Sequence, residues 1–169
     1  MRSGRIPRGL SAPKRWSGAA GLALFGLLLL VYSALAATPA GAQGASLPGL
    51  GGGQLSSADL AQGTHIIVVW ASWSPRCRDI SPRVNDLVQK LSGQGRVVTV
   101  NFQEEAAAIG EFVREHPLHA PIYLDRDGEF SKGHAVTALP GLVVVRKGEV
   151  LFQGRLAAEA EEQILGLLR

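Results

Sequence analysis

Cysteine is almost absent from this chain: Cys77 is the only one among 169 residues. A single cysteine cannot form an intramolecular disulfide, so the fold cannot rest on a disulfide framework. The same absence excludes two-cysteine redox chemistry within one molecule. What remains is one free thiol, whose reactivity depends on its surroundings.

Charge is absent from a long N-terminal stretch. After five cations in residues 1–15, no charged side chain occurs before Asp59. The gap holds an apolar run at 19–37 and two small-residue sites, ALA at 34–36 and AGA at 40–42. Such a leader is typical of a secretory signal peptide, and the run is also long enough for an uncleaved membrane anchor. We expect residues 1–42 to be a signal peptide or an N-terminal anchor, and the rest to be exported to the periplasm, either released or held at the inner membrane.

The positive net charge of +3 belongs to the leader. Five of the 17 Lys and Arg lie there and none of the 14 Asp and Glu does, which leaves a balance of −2 for the remainder. A slightly negative charge balance does not indicate a nucleic-acid-binding surface. The four histidines show no metal-ligand spacing, so neither a metal nor a cofactor is expected. The Ala-, Gly- and Pro-rich stretch after the leader predicts a flexible linker at 43–53 and one folded domain at 54–169.

Hydrophobic periodicity predicts an α/β domain with a mixed central β-sheet and helices on both of its faces. Helices connect the first strands, which should therefore be parallel, and a Lys147-Gly148 turn makes the last two an antiparallel hairpin. The predicted strands are 65–70, 96–102, 121–124, 142–146 and 149–154. The predicted helices are 74–91, with a kink at Pro82, then 104–115, 129–134 and 157–168.

The segment 70–77 (WASWSPRC) follows the first of these strands directly. Ser74 and Pro75 are placed as the N-cap and first residue of a helix, with Cys77 inside its first turn. Together with the turn at 123–128 and the loop VTALP at 136–140, this segment resembles the thioredoxin superfamily, and within it the TlpA/ResA-like exported thiol–disulfide oxidoreductases. The resemblance covers roughly residue 54 to the C-terminus. It implies a thioredoxin-like fold and a cis Leu139–Pro140 bond facing the site.

The site positions depart from that family, giving a degenerate Ser-Pro-Arg-Cys motif. Ser74 stands where the resemblance implies the first, nucleophilic cysteine, and a serine hydroxyl is a poor nucleophile without a base. We therefore predict that Ser74 caps the helix N-terminus. Val68 and Ile80 stand where the family often has proton-handling acids. Cys77 is the candidate single thiol, and without those acids it is predicted to be buried and weakly reactive.

Three functions stay open at this point. The first is a TlpA/ResA-like protein with at most single-thiol redox activity through Cys77 on a thiol or disulfide protein partner. The second is a non-enzymatic module that binds an extended peptide in a groove between Trp73, Cys77 and the loop of Leu139 and Pro140. The third is a peroxiredoxin-like thiol peroxidase, because peroxiredoxins place their reactive cysteine in a Thr-x-x-Cys spacing that Ser74 and Cys77 imitate. The basic residues near the site, Arg76, Arg78 and Arg83, are predicted to form a solvated helix face.

Overall fold

The computed structural model describes residues 46–168. The predicted signal peptide or anchor at 1–42 lies outside the described residues. Within residues 46–168, no helix combines the length and the apolar character that crossing a membrane requires.

The described part of the chain contains seven strands, five α-helices and one short 3₁₀ helix. The order begins with β1 (Leu47–Pro48), β2 (Gln54–Leu55), α1 (Ser57–Leu60), β3 (Thr64–Trp70), the 3₁₀ helix (Pro75–Cys77), α2 (Ile80–Lys90) and β4 (Arg96–Phe102). It continues with α3 (Ala106–Glu115), β5 (Ile122–Asp125), α4 (Glu129–Gly133), β6 (Gly141–Arg146), β7 (Glu149–Arg155) and α5 (Ala158–Leu168).

The central sheet has five strands in the order β5-β4-β3-β6-β7. Strands β3, β4 and β5 run parallel, whereas β6 is antiparallel to both β3 and β7. Strand β3 is buried from His65 to Trp70, as expected for a central strand that is covered on both faces. The predicted α/β class and mixed sheet are confirmed.

Side chains alternate between two core layers, because successive residues of a strand point to opposite faces. Ile66, Val68 and Trp70 of β3 pack in one layer with apolar residues of α2, α3 and α5. Ile67 and Val69 pack in the other with Phe130 of α4 and with the two short N-terminal strands. Helices therefore cover both faces of the sheet, as the sequence predicts.

The prediction of a flexible linker at 43–53 is wrong for residues 46–53, the part of it that the structure describes. Strands β1 and β2 pair as an antiparallel hairpin, and Leu47 is buried in the core. The Leu50 N–H donates to the carbonyl oxygen of Ile122 at 2.9 Å. Gly52 and Gly53 adopt positive φ in the connection, a conformation that glycine reaches without a steric penalty. The glycines thus make a turn, and the burial of Leu47 fixes the hairpin to the domain.

The predicted helix 74–91 is two helices. The 3₁₀ helix ends at Cys77, and α2 begins at Ile80. Pro82 is the third residue of α2, where the backbone N–H has no intrahelical partner in any helix. A proline there removes no hydrogen bond, so the predicted kink at Pro82 is wrong and the break precedes the proline.

His65 makes folding sensitive to mild acid. The side chain is 5% exposed, and its Nδ1 has no hydrogen-bond partner. Burial lowers the pKa of His65, and the positive charge of Arg96 lowers it further. The unfolded chain therefore takes up a proton at this position more readily than the folded chain. Above the unfolded pKa of about 6.5 the difference has no effect, and as the pH falls below that value the folded state loses stability.

We expect the urea midpoint of the wild type to fall between about pH 7.5 and pH 5.5, across the ordinary titration of histidine. A His65→Gln variant, which cannot take up that proton, should lose less over the same interval. The measurement is urea unfolding followed by circular dichroism at both pH values. Equal losses in the two proteins would show that His65 does not carry the effect.

Candidate functional site

The topology brings two loops to one end of the sheet. Residues 71–79 leave β3 at its C-terminal end, and residues 134–140 lead into the start of β6. Because β6 is antiparallel to β3, Val69 pairs with Gly141 and the two loops meet. A Cβ added at Gly141 would lie only 2.7 Å from Val136 Cγ1, so the second loop packs closely on the strand that follows it.

The turn after β3 is held by its own backbone. The Ser74 N–H donates to the Ala71 carbonyl oxygen at 3.2 Å, and the Cys77 N–H donates to the Ser74 carbonyl oxygen at 2.9 Å. Ser74 occupies the N-cap position, but its side chain makes no capping hydrogen bond, so the predicted side-chain cap is wrong. The tight i to i+3 closure of the 3₁₀ turn already uses the Cys77 N–H that a capping hydroxyl would take.

Cys77 has no exposed surface. It belongs to the same core layer as Val68 and Ile80, the two positions where acids were expected from the resemblance. Burial raises the pKa of the Cys77 thiol, while hydrogen bonds from the Ala71 backbone and the Ser74 side chain oppose the rise to a smaller extent. The thiol is therefore neutral at pH 7, and a neutral thiol is a weak nucleophile.

Cys77 should be protected from thiol reagents in the native protein. We expect iodoacetamide to label it at least about 100-fold more slowly in buffer than in urea, because the native reaction needs local opening. The native rate should rise only above about pH 8.5, the ordinary pKa of a cysteine. Mass spectrometry of quenched samples gives both rates, with Cys77→Ala as the blank. Fast native labelling at neutral pH would contradict this prediction.

A cavity of about 500 Å³ opens beside the turn. Trp73 stands in its wall and is 60% exposed, whereas Ser74 lines it as a buried residue. We call this cavity the groove; it is lined by Trp73, Ser74, Pro75, Arg76, Phe102, Ser131, Val136, Thr137, Ala138 and Leu139.

Some of the predicted groove residues line the groove and others do not. Trp73 and Leu139 line the groove, but Pro140 is buried and does not. The Leu139–Pro140 bond is cis, as predicted, and the Pro140 carbonyl oxygen accepts a hydrogen bond from the Leu156 N–H at 2.9 Å. Pro140 thus lies beneath the groove rather than in its wall. Cys77 is also absent from the lining, so Ser74 and not the cysteine borders the groove.

A carboxylate that the sequence analysis missed ties the turn to the neighbouring strand. Glu104 Oε2 accepts hydrogen bonds from the Ser72 N–H at 2.7 Å and from Asn101 Nδ2 at 2.6 Å, and Glu104 Oε1 accepts from Ser72 Oγ. We call Ser72, Asn101 and Glu104 the Glu104 clasp. The two ends lie 32 positions apart and meet only because β3 and β4 pair in parallel, with Trp70 opposite Asn101.

The Glu104 clasp sets the spacing of two groove walls. Trp73 directly follows Ser72, and Phe102 directly follows Asn101, and both aromatic side chains line the groove. Because one carboxylate binds both Ser72 and Asn101, the clasp keeps Trp73 and Phe102 at a fixed spacing. Trp70, which precedes the turn, instead points into the core, where its ring centroid lies 5.2 Å from that of Phe112.

A fully buried carboxylate, that of Asp125, positions another wall of the groove. Asp125 has no exposed surface and accepts hydrogen bonds from the Phe130 N–H at 3.1 Å, the Ser131 N–H at 2.9 Å and Ser131 Oγ at 2.6 Å. These bonds satisfy donors in the first turn of α4. Ser131 lines the groove, so Asp125 positions that wall from below.

The three arginines near the site differ in their surroundings. Arg76 and Arg78 are exposed, as predicted, but the prediction for Arg83 is wrong. Arg83 Nη2 donates to the Leu156 carbonyl oxygen at 2.6 Å and lies 3.8 Å from Glu161 Oε1. Arg83 thus connects α2 to α5 and to Leu156, the residue that follows β7. No group of three side chains suited to a metal ion occurs among residues 46–168.

A central β3 followed by the WASWSPRC turn, with a cis-proline loop packed against it on a mixed sheet, defines a thioredoxin-like protein. The chain belongs to the Redoxin family, whose model matches residues 36–166. The chain is also similar to thiol-disulfide oxidoreductases of the ResA type and to a DsbE-type structure.

ResA, a thiol-disulfide oxidoreductase of Bacillus thuringiensis subsp. konkukian, is 26% identical over 96 residues, 56% of each chain. The sporulation thiol-disulfide oxidoreductase A of Bacillus subtilis is 28% identical over 90 residues, 50% of this chain and 54% of that one. The chain thus spans about half the length of these relatives. A DsbE-type thiol:disulfide interchange protein of Chlorobium tepidum superposes with a TM-score of 0.65 at 26% identity, covering 75% of this chain and 94% of its own.

Proposed function

We propose that this protein is an exported member of the TlpA/ResA-like thiol–disulfide oxidoreductases whose redox chemistry is limited to the single thiol of Cys77. The observation that carries the proposal is the pairing of Ser74 in the groove wall with Cys77 directly behind it. One thiolate can attack a disulfide of a partner protein, forming a mixed disulfide and releasing the partner's other sulfur as a thiolate. With no second cysteine, the protein cannot resolve that mixed disulfide by internal attack.

The burial of Cys77 limits how fast that step proceeds. A partner disulfide in the groove meets Ser74 first, and the thiol is reached only when the turn at 74–77 opens. A thiol peroxidase needs a stabilised thiolate, and the pKa of Cys77 is raised by burial. The geometry therefore favours slow single-thiol exchange over the peroxidase alternative. Export to the periplasm is proposed from the basic and apolar leader in the sequence and from the kinship with ResA.

The test compares the full chain with a Cys77→Ala variant. Incubation with oxidised glutathione should give a slow, stoichiometric glutathione adduct on the wild type alone, read by mass spectrometry. Insulin reduction with dithiothreitol should not exceed that of Cys77→Ala. Steady turnover by the wild type would contradict the single-thiol limit. Failure of the native chain to form any adduct under conditions in which the unfolded chain does so would remove the redox role altogether.

A second candidate function is favoured by the groove itself. It is open and largely apolar, and its walls are held by the Glu104 clasp and by the hydrogen bonds to Asp125, neither of which involves sulfur. An extended segment of a partner protein is the ligand that such a groove suits, because main-chain pairing and side-chain pockets act together there. Binding of this kind should survive Cys77→Ala and be lost in Trp73→Ala. The reverse pattern would show that the thiol and not the groove holds the partner.

A further inference from the structure

The groove contains a single charged side chain. Of the ten residues that line it, only Arg76 is ionised at neutral pH, and the others are apolar or carry a hydroxyl. Arg76 is exposed, and none of the ion pairs within residues 46–168 involves it. Its guanidinium group is thus available at the rim of an apolar surface.

An arginine in this setting favours a carboxylate. The planar guanidinium group donates two parallel hydrogen bonds to a carboxylate, a geometry that lysine does not offer. A bound ligand would exclude water from the adjoining Trp73 and Phe102 surface, and a charge pair is stronger where water is excluded. The complementary ligand therefore has a large apolar group beside a negative charge.

The loop at 137–139 favours an extended polypeptide over a small amphipathic acid as the ligand. The backbone N–H groups of residues 137–139 donate to no partner among residues 46–168. These residues line the groove, so their amides can pair with the main chain of a ligand. A fatty acid would leave them without partners, and a volume of about 500 Å³ lies within the usual range of ligand pockets.

We propose that the groove recognises an extended segment of a partner protein in which a large apolar residue is next to Asp or Glu. The apolar side chain packs between Trp73 and Leu139, and the carboxylate pairs with Arg76. The inference rests on the proposed use of the groove for binding, and it adds the chemistry of the segment that is bound.

Arg78 provides a matched control. It lies two positions after Arg76, is exposed and does not line the groove. Arg76→Glu and Arg78→Glu change the net charge of the protein equally. A difference between them therefore reports the position of the charge and not the overall electrostatics of the protein.

The experiment selects peptides from an unbiased displayed library of random heptapeptides on the immobilised full chain. We expect enrichment of peptides with an acidic residue beside a large apolar one. The enrichment should disappear in Arg76→Glu and persist in Arg78→Glu. Replacing the acid of a selected peptide by its amide should weaken binding about tenfold, near the lower end of what a hydrogen bond to a charged group contributes.

The other outcomes separate the two levels of the proposal. Selection of apolar peptides that depends on Trp73 but shows no acid preference would overturn the acidic specificity and leave groove binding in place. Selection no stronger than that of a Trp73→Ala variant would overturn groove binding and the specificity with it. Displacement of the selected peptides by decanoate at lower concentration than by free peptide would assign the groove to a small amphipathic acid, which also overturns the proposal.

Discussion

The Ser74→Cys variant is expected to gain a redox-active pair and, with it, dithiol reductase activity that the wild type does not have. The Cys77 N–H donates to the Ser74 carbonyl oxygen at 2.9 Å, so the two positions bracket one tight turn. Residues that bracket such a turn have Cα atoms within about 7 Å, which overlaps the separation that a disulfide requires.

The new sulfur would also take the position that meets the ligand. Ser74 lines the groove and Cys77 does not, so an attacking thiol at position 74 faces a bound segment while Cys77 stands behind it to resolve the mixed disulfide. The rate should stay below that of an ordinary two-cysteine relative, because Val68 and Ile80 supply no proton relay.

Oxidation of Ser74→Cys should remove two hydrogens from the mass and leave no free thiol. Insulin reduction should rise at least about tenfold over wild type, because internal resolution makes turnover possible. Ser74→Ala and the double variant Ser74→Cys/Cys77→Ala should both stay at the wild-type level. Two free thiols after oxidation would show that the turn does not place these positions as described.

Loss of the Glu104 clasp should markedly destabilise the domain. Glu104→Ala removes an acceptor of three hydrogen bonds and leaves Asn101 Nδ2 without its partner inside the protein. Asn101 is buried, and its Oδ1 already lacks a partner within residues 46–168. A loss of about 2–4 kcal/mol in the free energy of unfolding follows from the usual cost of removing a charged hydrogen-bond partner.

Glu104→Gln should fall between Glu104→Ala and the wild type. The amide keeps one acceptor for the Ser72 N–H, and the Ser72 hydroxyl can accept from the new NH₂ group instead of donating. The control is Glu105→Gln, since Glu105 is exposed and its side chain makes no capping hydrogen bond to α3. Urea unfolding of the four proteins gives the values. A Glu104→Ala variant within about 0.5 kcal/mol of wild type, the range of ordinary surface substitutions, would disprove the structural role of the clasp.

Local patterns in the sequence were sufficient to predict the sheet and the position of the turn after β3, but not the break between the 3₁₀ helix and α2. The apolar run of β3 and the Ser74-Pro75 step lie within a few residues of each other, and short-range rules apply there. The cis bond before Pro140 and the groove position of Trp73 came from the family resemblance. These predictions needed no knowledge of how distant segments meet.

The features that the sequence did not predict depend on distant partners. Glu104 is one of several acids on its segment, and nothing nearby marks it as the partner of Ser72. Leu47 lies among glycines and prolines, whose composition indicates a linker, and only its burial against the sheet reveals the hairpin. The exclusion of Cys77 from the groove depends on the exact path of a single turn, which spacing does not determine.

The β1–β2 hairpin also matters for how the domain behaves at high concentration. An exposed sheet edge is a template for pairing with another chain, and such pairing leads to aggregation. The hairpin segment covers the edge at β5, where Gly49 bridges Tyr123 and Leu50 bonds to Ile122. At the other edge, β7 pairs with β6 through an irregular register near Val144, and its outer residues are largely exposed. The hairpin therefore covers the β5 edge, and the irregular register interrupts the β7 edge. Both features disfavour edge-to-edge aggregation of a domain that has no disulfide to stabilise it.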